Sequence, residues 1–197
     1  MSRQGDFNRK TRETDIVITV TLDSMAESKI DTGVPFFDHM LLTMARHGRF
    51  CLNVSCLGDT HVDDHHTVED IGISMGQAVK AALGNRAGIT RFGNALVPMD
   101  DALAMAAVDL SGRSYFSYTG EQLRGYIARY SEELTLEFFR SFADNAGLNL
   151  HLNLLNGTNR HHIHEALFKA VSRALYQAMS IDRSLDGAIP SEKGTIS

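Results

Sequence analysis

The sequence predicts an α+β fold made by internal duplication of two half-domains, and three observations carry that prediction. The run His65-His66-Thr67-Val68-Glu69 returns as His161-His162-Ile163-His164-Glu165, 96 residues later in a chain of 197. Upstream of each run lies a strand pattern of period two: Phe50, Leu52, Val54 and Cys56 in one copy, Leu148, Leu150, Leu152 and Leu154 in the other. Downstream of each lies an amphipathic helix. Ile71, Met75, Ala78, Val79 and Ala82 share one face in the first, and Leu167, Val171, Ala174, Leu175 and Ala178 in the second. A single domain of two pseudo-symmetric halves, about 1–90 and 91–197, with one shared core follows from this pairing.

The remaining elements fall into the same frame. Each half opens with a strand pattern, at 16–22 and at 103–110. Each then has a helix, FFDHMLLTMARH at 36–47 and LTLEFFRSFADN at 134–145. Gly48 and Gly147 follow these helices, where a left-handed stop favours glycine. The order in each half is therefore strand, helix, strand, helix.

Composition narrows the function classes. A net charge of −5 and a pI near 6.0 argue against a nucleic-acid binder, whose surface is basic. No apolar run approaches the ~20 residues of a bilayer span. Residues 1–15 are charged and lack the apolar core of a secretion signal, which points to the cytoplasm. Two cysteines, Cys51 and Cys56, make neither a disulfide framework nor a thiolate zinc cluster.

Five of the nine histidines lie in the two repeated clusters, each expected at the start of a helix. Residues four apart share a helix face about 5–6 Å apart, so His65 converges with Glu69 and His161 with Glu165. An imidazole nitrogen and a carboxylate oxygen at that spacing can hold one metal ion. His66 and His162 sit about 100° further round and suit a different ion. Counting back to the middle of the preceding helix adds His39 in one half and Glu137 in the other. Imidazole and carboxylate without thiolate suit manganese, iron, zinc or nickel alike. Arg91, Arg113 and Lys193 follow or lie in turns, and Lys169 lies two turns past His162; cations on separate loops suit an anionic group such as phosphate. No HExxH, phosphate loop, GxGxxG or nucleophile elbow is present, so any catalysis is metal-based. These residues alone also suit a metal-dependent phosphate-ester hydrolase or a metal-storing shell.

GVPFFDHMLLTMARHG, GDTHVDDHHTVEDIGI, RFG, DLSGR, HHIHEALFKAVSRAL and IPSEKG, in that order, resemble the imidazoleglycerol-phosphate dehydratase family in its single-function form. The resemblance implies helices packed between two β-sheets, trimers assembled into a 24-subunit homo-oligomer, and active sites at subunit contacts with two manganese ions each. It implies dehydration of a phosphorylated small molecule, imidazole glycerol phosphate, to imidazole acetol phosphate through a metal-bound imidazolate, in histidine biosynthesis. His39, His65, His66, Glu69, Glu137, His161, His162 and Glu165 take the metal-ligand positions. Glu13, His39, His47, His65, Glu69, Arg91, Arg113, His161, Lys169, Ser191 and Lys193 take substrate-contacting positions. Glu13, Glu69, Glu165 and His66 are the catalytic candidates. Two departures stand out: Glu137, where many members carry histidine, and His164, expected to lie outside the ligand set.

Overall fold

The computed structural model describes residues 3–196. The first half runs β1 (Gln4–Lys10), β2 (Thr14–Thr21), β3 (Lys29–Asp31), α1 (Pro35–Gly48), β4 (Cys51–Gly58) and α2 (His65–Leu83). The second runs β5 (Phe92–Met99), β6 (Ala102–Asp109), β7 (Tyr115–Thr119), a small hairpin of β8 (Tyr126–Ile127) and β9 (Tyr130–Ser131), α3 (Leu134–Ala146), β10 (Asn149–Asn156) and α4 (Arg160–Met179). The two four-stranded sheets have strand orders β1-β2-β4-β3 and β5-β6-β10-β7, the same topology twice. In each, the central strand runs antiparallel to one neighbour and parallel to the other. Among the described residues the β8–β9 hairpin has no counterpart in the first half.

The four helices lie between the sheets. α2 packs on β1 and β2, α4 on β5 and β6, and across the halves α2 meets α3 while α1 meets α4. The helix faces expected from periodicity are the buried ones, from Ile71 to Ala82 and from Leu167 to Ala178. Phe37, Phe138, Phe139, Phe142 and Phe168 fill the space where the halves meet, and each is fully buried. Burying an aromatic side chain of this size contributes about 1.5–3 kcal/mol. The core is thus common to both halves.

Each sheet carries two strands more than the alternation showed, β1 and β3 in one and β5 and β7 in the other, and all four are edge strands. β1 and β5 are edge strands whose inward positions are few, so their sequences read as polar. Their small inward residues mark the duplication again. A Cβ on Gly5 would lie 2.0 Å from Ala78 O, and one on Gly93 would lie 2.0 Å from Ala174 O. Both edge strands therefore touch their helix backbone-to-backbone, at positions 96 residues apart on α2 and α4.

The helix stops differ from the expectation at one end. Gly147 adopts the left-handed conformation after α3, with φ 64°. After α1 the left-handed residue is Arg49, φ 53°, and Gly48 is the last helical residue. Gly48 answers a packing demand instead, since a Cβ there would lie 2.4 Å from the Phe50 ring.

Candidate active site

His65 opens α2, and Arg160 opens α4 directly before His161, so both clusters occupy helix starts. On α4 the cap is Asn159, whose side chain accepts from the backbone N–H groups of His161 and His162. The packing of α1 against α4 brings His39 to the second-half cluster. His39 Nε2 lies 3.1 Å and His161 Nε2 3.0 Å from Glu165 Oε1. Among the described residues, His39, His161 and Glu165 form a group whose donor atoms all lie within 4.8 Å of one another. Two imidazoles and a carboxylate converging at that range fit a borderline divalent ion, whose bonds are about 2.0–2.2 Å.

Lys169, one turn on, pairs with Glu165 Oε2. Burial would raise the Glu165 carboxyl, but donors from Lys169, His161 and His39 bring it down to about 2. The group is therefore a carboxylate at all working pH values. His47, two turns beyond His39, has its pKa lowered by partial burial and then by Lys169 and Arg173, which places it on the same side of α4.

The first-half cluster is looser. His65 Nε2 lies 3.9 Å from Glu69 Oε2, and Glu137 on α3 points its carboxylate to Arg140 at 3.8 Å.

His66 and His162 take partners outside the clusters, as their 100° offset from His65 and His161 allows. Each is held at Nδ1 by a carboxylate, His66 by Asp59 at 3.0 Å and His162 by Asp101 at 2.7 Å. That hydrogen bond to Asp59 raises the His66 pKa. Asp101 also accepts from the Asn159 and Thr158 backbone and the Thr158 hydroxyl, which hold its carboxyl well below the usual range. Such carboxylate partners fix the tautomer and leave Nε2 as the outward donor atom. Glu13, in the β1–β2 turn, stands 3.8 Å from His66 Nε2; Asp100 stands 3.5 Å from His162 Nε2. The orienting acids went unnoticed in the sequence, although Asp59 lies in the GDTHVDDHH run and Asp101 in an acidic pair.

Arg91, Arg113, Ser191 and Lys193 do come together, with Ser111 and Pro190, around a cavity of about 530 Å³. Arg91 donates to Asp109 at 2.8 and 3.2 Å and to Pro190 O at 2.8 Å. A guanidinium has five N–H donors, so two remain for an anion. Lys169 does not join this cavity. Arg91 N bonds Ala178 O, 13 residues along α4 from Glu165 (178 − 165), which is about 20 Å at 1.5 Å per residue. Within one chain the imidazole-rich cluster and the cationic cavity lie at opposite ends of one helix.

His164 is fully buried, and its pKa is pushed down to about 4 by burial. Its Nδ1 bonds Thr135 Oγ1 at 2.8 Å, and Nε2 stands 3.8 Å from Glu132, which pairs with Arg160. It points into the core, outside the ligand cluster, because one residue's rotation on α4 turns it inward.

The imidazoleglycerol-phosphate dehydratase family model matches residues 32–175. The chain belongs to this family. An imidazoleglycerol-phosphate dehydratase from Desulforamulus reducens is 50% identical over 196 residues, covering all of both chains. One from Gluconobacter oxydans is 51% identical over 195 residues, 99% of this chain and 98% of that one. The crystal structure of the Staphylococcus aureus enzyme superposes with a TM-score of 0.82 at 37% identity, covering 91% of this chain and 99% of that one. The Pyrococcus furiosus protein, solved in complex with (S)-C348, gives a TM-score of 0.81 at 33% identity, with coverage of 95% and 99%. Among the described residues no helix is long and apolar enough to cross a membrane.

Proposed function

We propose that this chain is a manganese-dependent hydro-lyase of histidine biosynthesis, working in the cytoplasm, that dehydrates imidazole glycerol phosphate to imidazole acetol phosphate. The observation that carries the reading is the pairing of an imidazole–carboxylate cluster with an Arg–Arg–Lys cavity on one chain. They suit the two ends of that substrate, a metal-seeking ring and a phosphate. The 20 Å that separate them along α4 exceed the span of such a molecule. Ring and phosphate would therefore be held by different subunits, which supports a homo-oligomer built from trimers, 24 chains in all. The outward Nε2 atoms of His66 and His162 fit the same reading, each completing a cluster on a neighbour. His39, His161 and Glu165 would hold one ion, and His65, Glu69 and Glu137 the other.

Bound manganese supplies Lewis acidity at the ring, easing loss of hydroxide from the carbon attached to it. Arg113, Lys193, Ser191 and the two free Arg91 N–H groups hold the phosphate and so set the ring's position. A proton must leave the adjacent carbon, and one must reach the departing hydroxyl; the enol then becomes the ketone. Glu165, locked as a carboxylate, serves as ligand rather than donor. Glu13, at 3.8 Å from His66 Nε2, and Glu69, which no lysine engages, are the groups free to carry protons.

The test is turnover by metal-stripped protein given imidazole glycerol phosphate, with and without added manganese, following the ketone product. Manganese-dependent ketone formation is expected. Release of inorganic phosphate in its place would overturn the reading in favour of a hydrolase.

A further inference from the structure

The two clusters share ligand types but differ one helical turn beyond the glutamate. Glu165 presents Oε1 to His39 and His161, while Oε2 is taken by Lys169. Met99 Sδ, 3.1 Å from Lys169 Nζ, backs the ammonium, and the lysine side chain is only 17% exposed. The 96-residue offset that relates Glu69 to Glu165 relates Ile73 to Lys169. Glu69 thus has no ammonium on its helix at that place, and its side chain is 39% exposed. The partner position on the preceding helix differs in the opposite sense, with an imidazole, His39, against a carboxylate, Glu137. The second-half cluster carries one carboxylate and one ammonium. On the reading that Glu137 of α3, which packs on α2, completes it, the first-half cluster carries two carboxylates, with Arg140 as an exposed neighbour of Glu137.

A divalent ion gains from each carboxylate and loses to each nearby ammonium. One unit charge at about 5 Å changes its affinity about tenfold even at the dielectric constant of water, and more where side chains are buried. The second-half cluster is the better assembled, with donor atoms already within 4.8 Å. Two unit charges of difference outweigh that advantage. An ion that took both oxygens of Glu165 would also have to displace Lys169.

We propose that Lys169 makes the two metal centres unequal: by holding Oε2 of Glu165 it weakens the second-half centre, which fills only after the first-half centre. The inference rests on the reading that both clusters bind divalent metal. Lys169 acts here through Glu165, as a positioning residue.

The experiment is a manganese titration of metal-stripped protein, with free Mn(II) read by electron paramagnetic resonance. The unaltered chain should bind two ions in two classes at least about tenfold apart. Glu165→Gln should abolish the weaker class alone. Lys169→Met keeps the apolar stem against Met99 and should tighten the weaker class about tenfold, leaving the tighter class in place. Lys169→Arg, which keeps the charge, should preserve the gap. Two equal classes in the unaltered chain, or a weaker class that Lys169→Met fails to move, would overturn the proposal while sparing the metal reading. Binding of no manganese at all would overturn both.

Discussion

The second-half cluster is tight, partly buried and neutralised by Lys169, whereas the first-half cluster is open, exposed and anionic. Both stand at the start of the same helix of the same repeat. The contrast teaches that duplication preserved what the backbone dictates and released what only neighbouring side chains decide. Ligand spacing follows helix geometry and is kept. The orienting acids come from different places: Asp59 follows β4, while Asp101 lies in the β5–β6 turn. Glu13 occupies the turn that corresponds to Asp101, since Gly5 to Glu13 and Gly93 to Asp101 are the same count. With Asp59 already on His66 Nδ1, Glu13 is left facing Nε2, a place from which a proton can be moved.

Four experiments would break or sharpen this comparison. His65→Ala and His161→Ala remove corresponding ligands, and each should lower turnover at saturating substrate by about a thousandfold or more. Near-normal turnover in either would show that one centre is not part of the chemistry. Gly5→Ala and Gly93→Ala both force a methyl into a helix backbone and should each lower stability by about 3 kcal/mol, read from urea unfolding. A large difference between them would mean that the two strand–helix seams are not equivalent.

The buried His164 corresponds to Val68 in the first half, so its proton-linked contribution to stability has no counterpart there at that position. Its folded pKa of about 4 lies below the ordinary 6.5, so between these values the unfolded chain binds a proton that the folded chain refuses. Stability is full above pH 6.5 and falls as pH drops toward 4, by about 3 kcal/mol from this group. His164→Val, which imports the first-half residue, should flatten that limb of the urea-midpoint profile; an unchanged slope would assign it elsewhere. Asp59→Asn and Asp101→Asn loosen the outward histidines. Each should weaken metal binding about tenfold to a hundredfold without unfolding the chain. An unaltered manganese isotherm would remove them from the site.

How much of this was legible in the residues depends on the range of the interaction. The helix faces, the inner strands and the ligand spacing of His65 with Glu69 and His161 with Glu165 are local, fixed by 3.6 and 2.0 residue periods, and alternation displays them. The edge strands escaped because one buried face contributes few apolar residues, and their inward glycines carry no hydrophobic signal. Gly48 was visible as a glycine, but its cause, the Phe50 ring, was not.

By itself the sequence determined the duplication, the family, and which side chains could bind metal or phosphate, because each of those is written in identity and spacing along the chain. Only the tertiary structure decided that His39 joins the cluster of the opposite half, that Lys169 stays apart from the cationic cavity, and that His164 turns inward. The reason is physical: those relations depend on how α1 crosses α4 and on the way a side chain faces once the core has formed, and chain spacing does not encode a distance between elements packed from far apart.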